Sequence, residues 1–234
     1  MDAAAVATLL HHGEVEILGR MPCSSNATYL CQLTGGAEEL QAIYKPRRGE
    51  RPLWDFPSGL DHREVAAYEL SHALGWDIVP MTVLREGPLG IGSLQRFVEA
   101  DVEQHYFTLY ENESLHDQLR TMCAFDLVGN NTDRKSGHCL LGVDGRIQGI
   151  DHGLMFHQEF KLRTVIWEFG GEAVPAPLLE AVAILAEAET LPDALARLLD
   201  PEEQAAVRTR AQTLLRQGRF PIDNTGHRYP WPLV

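Results

Sequence analysis

The chain has 234 residues, 44% hydrophobic and 23% charged, enough for a substantial core and unlike a disordered or low-complexity polymer. A formal net charge of −13 argues against nucleic acid or anionic lipid as partners of the bulk surface, because like charges repel. No apolar stretch approaches the roughly 20 residues that span a bilayer, so stable membrane insertion is not expected. The N-terminus, MDAAAVATLLHHGEVE, lacks the basic start of a secretory signal, and the reading is a cytoplasmic protein. Cys23, Cys31, Cys123 and Cys139 form no C-x-x-C pair, which disfavours a zinc ribbon or a thioredoxin-like site and favours free thiols.

Residues 1–12 read as a helix. EVEILGRM (14–21), ATYLCQL (27–33) and ELQAIYKP (39–46) read as strands, with a small polar loop at 22–27 and a Pro/Gly-rich loop at 47–60. A helix follows, with Asp61 as expected N-cap, Glu64 completing a capping box and Gly75 as the stop. IVPMTVL (78–84) and IGSLQRFVE (91–99) read as two further strands. The second half changes character: a helix at 114–129, the polar loop NNTDRKSGH, and a hairpin of 139–143 and 146–150 around Asp144–Gly145. Helices follow at 176–188, 191–199 and 201–217, the last with Asp200 before Pro201 and closed by Gly218.

Only three lysines stand beside 17 arginines, and all three fall in segments of interest. Lys45 ends the third strand, and Glu64 on the next helix is placed to pair with it. Asp133 sits in the polar loop, with His138 five residues later and Leu140 two beyond that. Asp151 follows the hairpin in IQGIDHGLMF. Each has an ordinary reading alone: a surface lysine, an exposed capping glutamate, aspartates in turns. Their order matches what phosphoryl transfer requires, namely a cation for nucleotide phosphates, carboxylates for Mg²⁺ and a carboxylate near the attacking hydroxyl.

The motifs resemble those of the phosphatidylinositol 3-/4-kinase superfamily, in particular the type II phosphatidylinositol 4-kinases and their bacterial relatives. Asn131–Arg134 match N-T-D-R, Ile150–Phe156 match I-D-[HN]-G-L-x-F, Ser93–Val98 match S-x-Q-x-F-V, and Ser24, Ser25 and Asn26 match a small phosphate loop. The chain is also similar to an actinobacterial group assigned to that superfamily by similarity. The resemblance implies a compact two-lobed protein-kinase-like α+β fold. Residues 1–99 would form a β-rich nucleotide-binding lobe and residues 100–234 a helical lobe with the catalytic loop, hinged near 99–105. It implies an ATP-dependent phosphotransferase whose acceptor (lipid, protein or small alcohol) stays open. Ser25 and Asn26 would offer backbone N–H groups to phosphate, and Lys45 would contact the α/β-phosphates. Phe97 and Val98 would border adenine, with Leu140 beneath it. Asp133 would act as general base or position the hydroxyl, and Asp151 would bind Mg²⁺.

His138 stands where that family carries an asparagine metal ligand. Imidazole can ligate a metal, but Mg²⁺ prefers oxygen, so this position weakens one metal site or favours Mn²⁺. It also sustains the alternative of a non-catalytic nucleotide-binding pseudokinase module acting through a partner. Lys161 and Arg163 lie where kinases place the activation segment, either to grip an anionic substrate or as a solvated basic turn. A zinc hydrolase built on His138, His152 and His157 is disfavoured, since no H-E-x-x-H spacing is present.

Overall fold

The computed structural model describes residues 1–22, 24 and 26–233. Helix α1 (Ala3–His12) starts on Asp2, whose carboxylate accepts the Ala5 N–H at 2.8 Å. Strands β1 (Glu14–Arg20), β2 (Tyr29–Gly35), β3 (Glu38–Pro46), β4 (Thr82–Gly87) and β5 (Gly90–Arg96) form one antiparallel sheet in the order β1-β2-β3-β5-β4. Strand side chains alternate between faces. On β3, Ala42 and Tyr44 are buried in a cluster with Val6 and Leu10 of α1 and Leu33 of β2. Ile43 and Lys45 therefore face the other way, and both line a cavity on that side.

Helix α2 (Leu60–Ala73) crosses from the sheet to the second half of the molecule, and Ala66, Ala67, Leu70 and Leu74 are buried in the larger hydrophobic cluster. That cluster is built by α3 (Tyr106–Tyr110), α4 (His116–Gly129), α5 (Ala176–Glu187), α6 (Asp193–Ala196) and α7 (Pro201–Gln217). The short hairpin β6 (Cys139–Leu141) and β7 (Ile147–Gly149) pairs in antiparallel register, Leu140 opposite Gln148. The architecture is mixed α+β, an N-terminal sheet followed by helices. Among the described residues no helix is long and apolar enough to cross a membrane, and Cys31, Cys123 and Cys139 are buried and free.

Several expected boundaries move. Asp61 is not the N-cap of α2. That place belongs to Gly59, at φ 97°, and the first turn is capped from a distance by Glu50, which accepts the N–H groups of Gly59 (2.9 Å) and Asp61 (3.2 Å). Asp61 instead binds Arg47 through both carboxylate oxygens. Glu64 makes no capping box; it turns into the cleft. Strand β4 begins at Thr82 rather than residue 78, because Pro80 offers no N–H and Ile78 and Val79 are buried in the helical cluster. The expected helix 191–199 is helical only over Asp193–Ala196, and α3 had no counterpart in the sequence reading.

Candidate active site

Two adjoining cavities share Lys45 and Asp151. The first, of about 360 Å³, is largely apolar and is lined by Ile43, Phe97, Val98, Leu140 and Ile150, with His138 at its edge. The second, of about 260 Å³, is the more polar of the two and is lined by Glu64, Asp133, Asp151, Asn26 and Arg51. Phe97, Val98 and Leu140 thus lie together, as do Lys45, Glu64, Asp133 and Asp151, although the sequence spreads them over more than a hundred residues. Ser25 lies outside the described residues.

Lys45 is the junction. Its Nζ donates to Glu64 Oε1 at 2.5 Å and to Asp151 Oδ1 at 2.7 Å. The two carboxylates hold the ammonium charged, with its pKa well above the usual lysine value despite burial. The other oxygen of Glu64 accepts the His152 N–H at 3.0 Å, so Glu64 fastens the strand lysine to the Asp-His-Gly segment. Asp151 has φ 58°, a left-handed conformation that Asp tolerates better than most residues. Its carboxyl is held far below the ordinary range, first by the Lys45 charge, against the opposing effect of burial.

The Asp133 backbone N–H donates to Asn131 Oδ1 (3.0 Å), which orients the loop, and Asp133 Oδ2 lies 3.0 Å from Lys135 Nζ. Burial raises the Asp133 pKa, Lys135 lowers it less, and the charge of Asp151 raises it further. A carboxylate with a raised pKa is a better proton acceptor than an ordinary aspartate. His138 is largely desolvated, which pushes its pKa down to about 4 and leaves the imidazole neutral. Its Nδ1 faces the Lys135 N–H at 3.4 Å and its Nε2 faces Asp151 Oδ2 at 3.5 Å. In that tautomer Nδ1 accepts, and Nε2 carries the proton toward the carboxylate. Among the described residues no group of three His, Cys, Asp or Glu side chains is arranged to hold a metal by itself.

Lys161 and Arg163 do not line either cavity. Lys161 Nζ lies 3.1 Å from His157 Nε2 and 3.7 Å from Asp55 Oδ2, above the Phe56 ring. The Arg163 side chain is exposed, while its backbone joins Asn131 and Arg134.

Beneath the cleft lies a buried hub that sequence reasoning did not single out. Arg134, fully buried, holds Asp126 of α4 through Nε and Nη2, the latter at 2.9 Å. It also donates to the carbonyls of His138 and Ile150 and to His152 Nε2. One guanidinium therefore ties α4, the loop carrying Asp133 and the stretch Ile150–His152 together. The available signal was Asp126 itself, a carboxylate inside the apolar run Met122–Val128. A second missed link is Arg63, beside Glu64 on α2. It binds the Met155 carbonyl (2.7 Å) and Glu203 of α7, fixing the helix that presents Glu64.

No protein-family model matches the chain. Solved structures share its fold at 12% sequence identity. The Golgi casein kinase with Mn and ADP bound superposes with a TM-score of 0.60, over 100% of this chain and 81% of that one. The hydra Fam20 structure with sugar gives 0.61, over 93% and 89%. The Helicobacter pylori proinflammatory kinase CtkA, also 12% identical, gives 0.51, over 88% and 98%. Protein Rv2133c of Mycobacterium tuberculosis (strain ATCC 25618 / H37Rv) is 42% identical over an alignment of 261 residues, covering 96% of this chain and 94% of that protein. The chain belongs to the family of Protein Rv2133c.

Proposed function

We propose that the cleft binds ATP with a divalent cation and that the chain is a kinase-like phosphotransferase, of the type found in the phosphatidylinositol 3-/4-kinase superfamily. The observation that carries this reading is Lys45, gripped by both Glu64 and Asp151 where an apolar cavity meets a polar one. A nucleotide needs that division: a hydrophobic slot for its base, then cations and carboxylates for its phosphates. The kinase-like fold of structures including one with Mn and ADP bound supports the same reading. We retain residues 1–99 and 100–234 as the two lobes of one unit.

The donor set fits a hard cation. Asp151 presents a half-exposed, strongly acidic carboxylate, and Mg²⁺ is usually held by one or two carboxylates together with substrate phosphates and water. The absence of a three-residue cluster among the described residues accords with a metal that arrives with its nucleotide. When bound, the metal would neutralise phosphate charge. Lys45 would release Asp151 and take the α/β-phosphates while Glu64 keeps it oriented. Phe97, Val98 and Leu140 would enclose the base. Asp133, with its raised pKa, would orient the acceptor hydroxyl and accept its proton. Asn26 would contribute backbone N–H to the phosphate loop. Lys161 and Arg163, outside the cavities, would serve only an acceptor large enough to reach them.

A second reading, a nucleotide-binding module without turnover, is favoured by His138. An imidazole has no oxygen to offer a hard cation, and both of its nitrogens face protein groups, Lys135 N–H and Asp151 Oδ2. ATP turnover of the wild type and Asp133→Ala separates the two. A loss of turnover in the variant with nucleotide binding intact supports catalysis. Binding without turnover in the wild type supports the module, and equal turnover in both refutes the role of Asp133.

A further inference from the structure

Arg51 stands apart from every other charged group in the polar cavity. Five carboxylates line that cavity, and each has a partner: Glu50 caps α2, Asp61 binds Arg47, Glu64 and Asp151 bind Lys45, and Asp133 pairs with Lys135. The cavity has two cations. Lys45 is committed, whereas the Arg51 guanidinium has no ion-pair or hydrogen-bond partner among the described residues. Its backbone is nevertheless fixed: the Arg51 N–H donates to Asn26 Oδ1 at 3.0 Å, and the Ala27 N–H donates to the Gly49 carbonyl at 3.2 Å. Gly49 packs so closely on Ala27 that an added Cβ would lie 2.4 Å from the Ala27 Cβ. Asn26 and Ala27 therefore pack against Gly49 and Arg51 at the rim of the polar cavity. Asn26, whose backbone N–H is expected on phosphate, uses its side chain to position the Arg51 backbone.

Arginine stays charged at any working pH, and its planar fork matches phosphate oxygens. Lys45 divides the apolar cavity from the polar one, so a nucleotide with its base on the apolar side points the end of its phosphate chain toward Arg51. We infer that Arg51 binds the terminal phosphate of a nucleoside triphosphate in this cleft, making it a phosphate-reading residue additional to Lys45. The inference rests on the nucleotide reading above.

The test is calorimetric titration of the wild type, Arg51→Ala and Arg51→Lys with ADP and with a non-hydrolysable ATP analogue, each with Mn²⁺. Arg51 is exposed, so all three proteins are expected to melt together. A phosphate-reading role predicts that Arg51→Ala weakens the triphosphate about tenfold, roughly 1.4 kcal/mol, and ADP less than about twofold, with Arg51→Lys between. An equal effect on both nucleotides, or none on either, overturns the inference while leaving nucleotide binding intact. Failure of the wild type to bind either nucleotide overturns the underlying reading instead.

Discussion

Replacing Arg134 by Met tests the hub beneath the cleft. Side-chain exposure of the Arg134–Asp126 pair is 0% and 1%, so each charge depends on the other rather than on water. Removing one member of a buried pair typically costs about 3–5 kcal/mol, because the orphaned charge stays desolvated. Asp126 would keep two donors, Asn131 Nδ2 at 3.0 Å and Thr164 Oγ1 at 3.2 Å, which places the carboxylate's share toward the lower end. Arg134→Met also strips donors from the carbonyls of His138 and Ile150 and from His152 Nε2, at about 1 kcal/mol each. The total expected is about 6 kcal/mol, comparable to the whole stability of many domains. Urea unfolding followed by circular dichroism measures it. Asp126→Leu alone should lose about 3–4 kcal/mol. The double variant should lose less than the sum, since it leaves no unpaired charge, yet remain below wild type because the stranded acceptors persist. An Arg134→Met protein within about 1 kcal/mol of wild type would refute the reasoning.

The remaining predictions concern the cleft and its supports. Glu64→Ala frees Lys45 from its orienting partner and the His152 N–H from its acceptor, so nucleotide affinity by calorimetry should fall at least about tenfold. Arg63→Leu should lower nucleotide affinity without touching the cavity, by loosening α2 from α7 and Met155. The double variant with Glu203→Leu should be closer to wild type in stability than Arg63→Leu alone. His138 has a folded pKa of about 4 against about 6.5 in the unfolded chain, so its contribution is complete above pH 6.5. It is lost as pH falls from 6.5 to 4, because only the unfolded state then binds the proton, a loss on the order of 3 kcal/mol. His138→Asn should flatten the stability profile between pH 6.5 and 4, and an unchanged slope would contradict the desolvated neutral imidazole.

The site was legible where chemistry follows chain order. Lys45 at a strand end, Asp133 in a polar loop and Asp151 after a hairpin are local patterns, and the fold gathers them as their order implied. Glu64 was half legible. Its spacing from Asp61 imitates a capping box, and only the fold shows that Glu50, ten residues before the helix, caps it and frees Glu64 for Lys45. Arg134 was visible as part of a motif but not as a hub, because its partners come from three separate stretches, at Asp126, His138 and Ile150–His152. His138 shows the same limit: residue type reveals an unusual donor, while its facing of Asp151 depends on the loop and hairpin folding together. Arg51 carried no signal, since an arginine in a Pro/Gly-rich loop acquires meaning only when every neighbouring charge proves to be paired.

The most direct measurement is a crystal structure grown with a non-hydrolysable ATP analogue and Mn²⁺, with manganese located by anomalous scattering. The account predicts the base between Ile43 and Leu140, Lys45 on the phosphates, and a manganese peak about 2.1–2.2 Å from an Asp151 oxygen, close to the Mg²⁺ distance. A nucleotide bound outside the two cavities, or a metal held without Asp151, would contradict it.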